Sequence, residues 1–136
     1  MFPDDLTTEV LSASLRGLDA RNTALANNIA NAETPGYKRV DVSFESALAD
    51  AVQSDRARMS HNSLLPDTSG ASSADEVADF APSVNSVDTT TMRVDGSNVD
   101  PDDEMAQLSA NTLAHQTVVS LLDKRFAQFR TAIMGR

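Results

Sequence analysis

A mainly α-helical, elongated chain is predicted by three features of the sequence. Apolar residues recur three and four apart along both ends, the last of these segments opens with a full set of start signals, and the stretch between them is too polar to build a large domain. The expected fold is a pair of long N- and C-terminal helices joined as a coiled coil, with a short irregular or β segment in the middle. Residues 1–36 are read as the first helix and its closing turn, 37–99 as an extended, looping region with one short helix, and 100–136 as the last helix.

The first helix is expected to begin at Asp4 or Asp5 as its cap and to run to about Glu33. Leu11, Leu15, Leu18, Leu25, Ile29 and Ala32 form its seam, a stripe narrower than the face of a globular helix. Some thirty residues at about 1.5 Å each make a strut of roughly 45 Å. Asn22 interrupts the seam, either as a register-setting polar contact or as a tolerated, partly solvated residue.

Residues 26–38 read ANNIANAETPGYK. Asn27, Asn28 and Asn31 are poor helix formers, each costing up to ~0.7 kcal/mol relative to alanine, and they are expected on the side away from the leucine stripe, outside any internal core. Pro35 drives Thr34 out of the helical region, and Pro35 followed by Gly36 supplies a tight turn before Tyr37, the chain's one tyrosine. Asn27, Asn28, Asn31, Thr34, Pro35, Gly36 and Tyr37 are therefore read as a surface for another chain, with a frayed helix end and ordinary turn residues as the plain alternative.

Beyond the turn, Val40, Val42 and Phe44 alternate with polar residues as in a short half-buried strand. Residues 44–59 carry Ala47, Leu48, Ala51 and Val52, enough for a modest helix folding back on the first. Residues 60–100 are rich in Ser, Asp, Pro and Gly and are expected to form a long loop, in which Val77 with Phe80, and residues 91–94, are candidates for a hairpin or for docking on a neighbour. His61 has no second ligand at metal spacing.

The last helix has the clearest start. Asp100 is its N-cap, Pro101 takes the first helical position, and Asp102, Asp103 and Glu104 complement the dipole. Met105, Leu108, Thr112, His115, Val119, Leu122, Phe126, Phe129 and Ile133 keep seam spacing for a strut of roughly 50 Å, while Lys124, Arg125, Arg130 and Arg136 gather at its end. Val118 and Leu121 widen the apolar face, so this helix is expected to bury more than one partner covers. His115 is read as a packed or rim histidine.

The net charge of −9 is concentrated in residues 41–104, which carry −11 against −1 before and +3 after. Without a basic patch interleaved with aromatics, nucleic-acid binding is excluded. The absence of cysteine removes disulfides, thiol nucleophiles and thiolate metal sites, and neither a membrane-spanning run nor a cleavable signal is read in the sequence. There is no phosphate loop, His-Glu-x-x-His or nucleophile elbow, so no enzyme activity, cofactor or metal is expected.

The run Ala26-Asn27-Asn28-x-Ala30-Asn31 leading to Thr34-x-Gly36-Tyr37-Lys38 resembles the signature segment of the bacterial flagellar axial proteins, the rod and hook family. Asn98-Val99-Asp100 opening the last helix, residues 111–116 and the Arg130-Thr131-Ala132-Ile133 ending are most similar to the proximal rod subunits of that family. The resemblance implies a non-enzymatic structural part of the basal-body rod, assembling helically through its terminal helices to transmit torque across the periplasm. It further implies as partners copies of itself, other rod, rod-adaptor and MS-ring proteins, and the flagellar type III apparatus, through which it passes without a cleaved signal and without inserting in the membrane. Phe44 and Leu48 resemble the short export signal of early flagellar subunits, with simple helix packing as the plainer reading. Outside the family, the alternative is an acidic coiled-coil adaptor or secretion chaperone.

Overall fold

The computed structural model describes residues 6–60, 77, 81–87 and 96–135, with side chains described through 53 in the first of these segments. Its elements, in order, are α1 (Leu6–Ala30), β1 (Val40–Ser43), α2 (Glu45–Ser60), β2 (Ser83–Ser86) and α3 (Pro101–Met134). The two long terminal helices pack on each other. Leu18 meets Asn111 and Asn28 meets Glu104, so they run in opposite directions.

α1 is covered along two edges, which makes its buried face wider than the leucine stripe alone. Leu18 and Leu25 are buried on one edge, and Ala13, Gly17 and Ala24 are buried on the other. The small residues let β1 and α2 approach closely. The Phe44 ring lies directly on Gly17, where a Cβ atom would stand 2.5 Å from the ring carbons. Ala13, Leu18, Ala24, Val42, Phe44, Leu48 and Val77 form the core, with Val118 of α3 packed against it. Phe44 and Leu48 are thus core residues in the folded chain.

α1 ends at Ala30, three residues before the expected Glu33. Its last bonds tighten toward the i→i+3 pattern: the Asn31 N–H is shared by the carbonyls of Asn27 and Asn28, and Ala32 donates to Ile29. The Tyr37 N–H then donates to the Thr34 carbonyl at 3.2 Å, closing a four-residue turn whose third residue, Gly36, has φ 73°. A positive φ at that position defines a type II turn and favours glycine. Asp4 and Asp5 lie outside the described residues.

The start of α3 follows its sequence signals. Asp100 is extended, its carboxylate accepts the Asp102 N–H at 3.0 Å, and Pro101 stands at the first position. Gly135 closes the helix in the left-handed conformation, donating to Thr131.

The middle of the chain departs from a simple loop. β2 pairs antiparallel with β1, placing Val42 opposite Val84 and Ser43 opposite Ser83. All four residues of β2 are exposed, so it has no burial alternation and is held by backbone pairing and by the Ser43–Ser83 hydroxyl contact. Ser97, Asn98 and Val99 are buried just ahead of α3. His61, Phe80 and residues 91–94 lie outside the described residues.

Candidate functional site

The signature segment is organised from within by Asn28, which is 0 % exposed. Its side-chain oxygen accepts the Val40 N–H at 2.9 Å, while its amide nitrogen donates to the Val40 carbonyl at 2.8 Å. The neighbouring acceptor on the same edge of β1, the Val42 carbonyl, takes bonds from the Arg21 guanidinium at 2.8 and 3.2 Å. Side chains of α1 therefore complete the edge of β1 that faces away from β2, as a third strand would.

The same amide reaches the last helix. Asn28 donates to Glu104 at 3.0 Å and accepts from the Tyr37 hydroxyl at 3.2 Å. Glu104 is 1 % exposed, and its second oxygen receives the Arg39 guanidinium, which also donates to Gln107 at 2.9 Å. Burial alone would lower the Arg39 pKa, but the hydrogen bond and charge of Glu104, aided by Asp41 and Asp103, outweigh it and raise it. The Arg39 N–H donates to Asn98 at 2.7 Å, and Asn98 in turn donates to the Val87 carbonyl at 2.6 Å. One buried polar cluster thus ties α1, the turn, both strands and α3 together.

This corrects the expectation that all three asparagines lie outside the internal core. Asn28 stands four residues after Ala24 and three after Leu25, which places it on the covered face between the two buried edges of α1. The leucine stripe marks only one border of that face. Asn27 is exposed and Asn31 is half-buried, donating to the Asn27 carbonyl at 2.9 Å. Thr34, Pro35 and Gly36 are exposed, whereas Tyr37 turns inward to Asn28.

The expected seams divide in the same way. On α1, Leu18 and Leu25 are buried, Leu11, Leu15 and Ile29 are half-buried, and Asn22 is exposed and solvated. On α3 the side turned to α1 carries Glu104, Asn111 and Val118, one position before the expected row. Leu108, Leu122 and Phe129 are half-buried. Val119 is 37 %, Phe126 54 % and Ile133 67 % exposed, and with Met105 and Thr112 they make an open row repeating every seven residues. His115 sits at the rim, 3.2 Å from Asp19.

One signal for this open face lies in the sequence. Residues 105–122 contain no Asp, Glu, Lys or Arg on any side of the helix. A helix face meant for water is normally charged, and α1 covers only one side of α3. Among the described residues no cluster of three or more metal-ligating side chains occurs, and no helix is long and apolar enough to cross a membrane.

A family model described as flagella basal body rod protein matches residues 15–38, most of α1 with the signature turn. The flagellar basal body rod protein FlgB of Cereibacter sphaeroides is 34 % identical, over 98 % of this chain and 97 % of the relative. FlgB of Bacillus subtilis is 28 % identical over 95 % of this chain and 94 % of its own length, and FlgB of Escherichia coli is 32 % identical over 75 % and 74 %. With an antiparallel helix pair, a signature turn tied to it and an open helix face, all in a chain similar to the first of these relatives over nearly its whole length, the protein belongs to the FlgB family of flagellar basal body rod proteins.

Proposed function

We propose that this chain is a structural subunit of the proximal rod, assembling helically through its terminal helices and transmitting torque across the periplasm. The observation that carries the reading is the open row of Met105, Thr112, Val119, Phe126 and Ile133, whose first three members lie on the charge-free stretch 105–122. Burial of such a row by neighbouring subunits supplies roughly 25 cal/mol per Å² of apolar surface removed from water. Asn27 and Asn31, with Thr34, Pro35 and Gly36, present a second, polar contact held in place from behind by Asn28 and Tyr37.

The neighbours are copies of this chain and other rod, rod-adaptor and MS-ring proteins. Delivery is through the flagellar type III apparatus, with Phe44 and Leu48 read before folding buries them. The role is mechanical, with no catalysis.

The test replaces Val119 or Phe126 by Asp in the full chain and returns each variant to a cell lacking the native protein. Both positions are exposed in the single subunit, so helix content and unfolding midpoint stay near wild type while rods fail to assemble. Normal motility and normal incorporation of both variants would overturn the proposed surface.

A further inference from the structure

The apolar pattern of α3 leaves its position along α1 underdetermined. Leu108, His115, Leu122 and Phe129 recur every seven residues, and sliding α3 by one heptad, about 10 Å, replaces Leu108 by His115 and Leu122 by Phe129. Apolar packing alone separates these registers weakly.

The buried polar groups separate them strongly. In the observed register Glu104 accepts from Asn28 and from Arg39, and Asn111, one heptad later, donates to the Leu18 carbonyl at 3.0 Å. After the slide, Asn111 stands opposite Asn28, Arg39 faces an amide in place of a carboxylate, and Val118 takes the place from which Asn111 bonds Leu18. Arg39 then loses its buried counter-charge and the Leu18 carbonyl its side-chain donor, while Asn28 finds an acceptor in the incoming amide. Asn22, the polar residue that interrupts the leucine stripe, is exposed and has no part in this.

We infer that the Asn28–Arg39–Glu104 cluster is a register lock, which selects one axial alignment of the two struts and so fixes where the open row of α3 stands relative to the signature turn. Buried polar contacts set register in coiled coils at some cost in stability. Here the lock joins helices from opposite ends of one chain, and its members come from α1, the residue before β1, and α3. The inference concerns the folding of a single subunit and stands apart from what that subunit assembles with.

The chain contains no cysteine, so engineered pairs report register cleanly. Asp19 and His115 touch in the observed alignment, and Asp19 would face Leu122 after the slide. In the full chain, D19C with H115C is linked by a short bis-maleimide, and D19C with L122C reports the shifted form. In the wild-type background the shifted pair is expected at about one part in a hundred, rising to at least about one in ten when R39M and E104L replace the ion pair with apolar side chains, Asn28 being kept for its bonds to Val40. Circular dichroism of the same samples is expected to show helix content retained. Native linkage alone in the substituted chain would mean that the connection through Asn98 and Val99 fixes the register, and would overturn the inference. Loss of helix would equally overturn it, since the cluster would then supply stability and not choice of alignment. E104Q, which keeps the side chain's shape and removes its charge, is expected to give an intermediate amount of the shifted link.

Discussion

Alanine in place of each signature asparagine separates the inward residue from the outward ones. Asn28→Ala strands the Val40 N–H and carbonyl, which have their partner in this one side chain. An unsatisfied buried polar group costs ~1–3 kcal/mol, so the pair costs ~2–6 kcal/mol. Glu104 keeps the Arg39 bond on one oxygen but loses its Asn28 donor on the other, which adds to this cost, and Tyr37 is half-buried and regains water. Alanine returns up to ~0.7 kcal/mol of helix propensity, leaving a net loss of ~2–5 kcal/mol. That is a large share of the ~5–15 kcal/mol typical of a folded domain. Asn27→Ala removes an exposed side chain, and Asn31→Ala removes two exposed local bonds, to the Asn27 carbonyl and from the Thr34 hydroxyl, so each is expected within ~0.5 kcal/mol of wild type. Urea unfolding of the purified chain, followed by circular dichroism, gives all three values. If Asn28→Ala unfolds at the same urea concentration as Asn27→Ala, the reading of Asn28 as the internal organiser fails.

Two further substitutions probe the packing and the ion pair. Gly17→Ala forces a Cβ against the Phe44 ring and is expected to destabilise by ~1–3 kcal/mol; the cost should shrink in a Gly17→Ala, Phe44→Leu double variant, and an additive double-mutant cycle would contradict direct contact. The Arg21 hydrogen bond, working against burial, holds the Glu45 carboxyl below its ordinary value of 4.5. A lowered folded value means the stabilisation is present above the unfolded pKa and is lost as pH falls through the folded one. Because the pair is partly exposed, its contribution is only ~0.2–1 kcal/mol. Glu45→Gln should therefore reduce stability at neutral pH and flatten its acid-side decline, and an unchanged pH profile would show that the pair contributes nothing.

The parts of the fold that were legible in the sequence are those specified by local chemistry. The cap of α3 needs only Asp100, Pro101 and the following acids, and the turn needs only Pro35 and Gly36. β2 was not legible because Ser83–Ser86 carries no pattern of its own and exists through pairing with β1. The inward turn of Asn28 was missed because the leucines of α1 suggested one buried direction, while Ala13, Gly17 and Ala24 supply a second. Their spacing of four and seven was visible, but small residues carry little apolar weight in a periodicity count. On α3, Leu108, Leu122 and Phe129 of the expected seam are half-buried, while Met105, Thr112, Val119, Phe126 and Ile133 stand open. Glu104 and Asn111 occupy the covered side, and polar residues there do not announce burial until their partners from distant segments are known.

The central claim, that the open row of α3 is a surface covered on assembly, is tested most directly by the reactivity of single cysteines placed along it. With no native cysteine in the chain, V119C, F126C and I133C report the row, and N22C on the exposed side of α1 reports a position away from it. Maleimide labelling of free subunits and of subunits within isolated basal bodies gives a protection ratio for each. The row is expected to be labelled at least about tenfold more slowly after assembly, the effect of confining reactive exposure to a minor open state. Equal labelling of all three row positions in free and assembled subunits would contradict the claim.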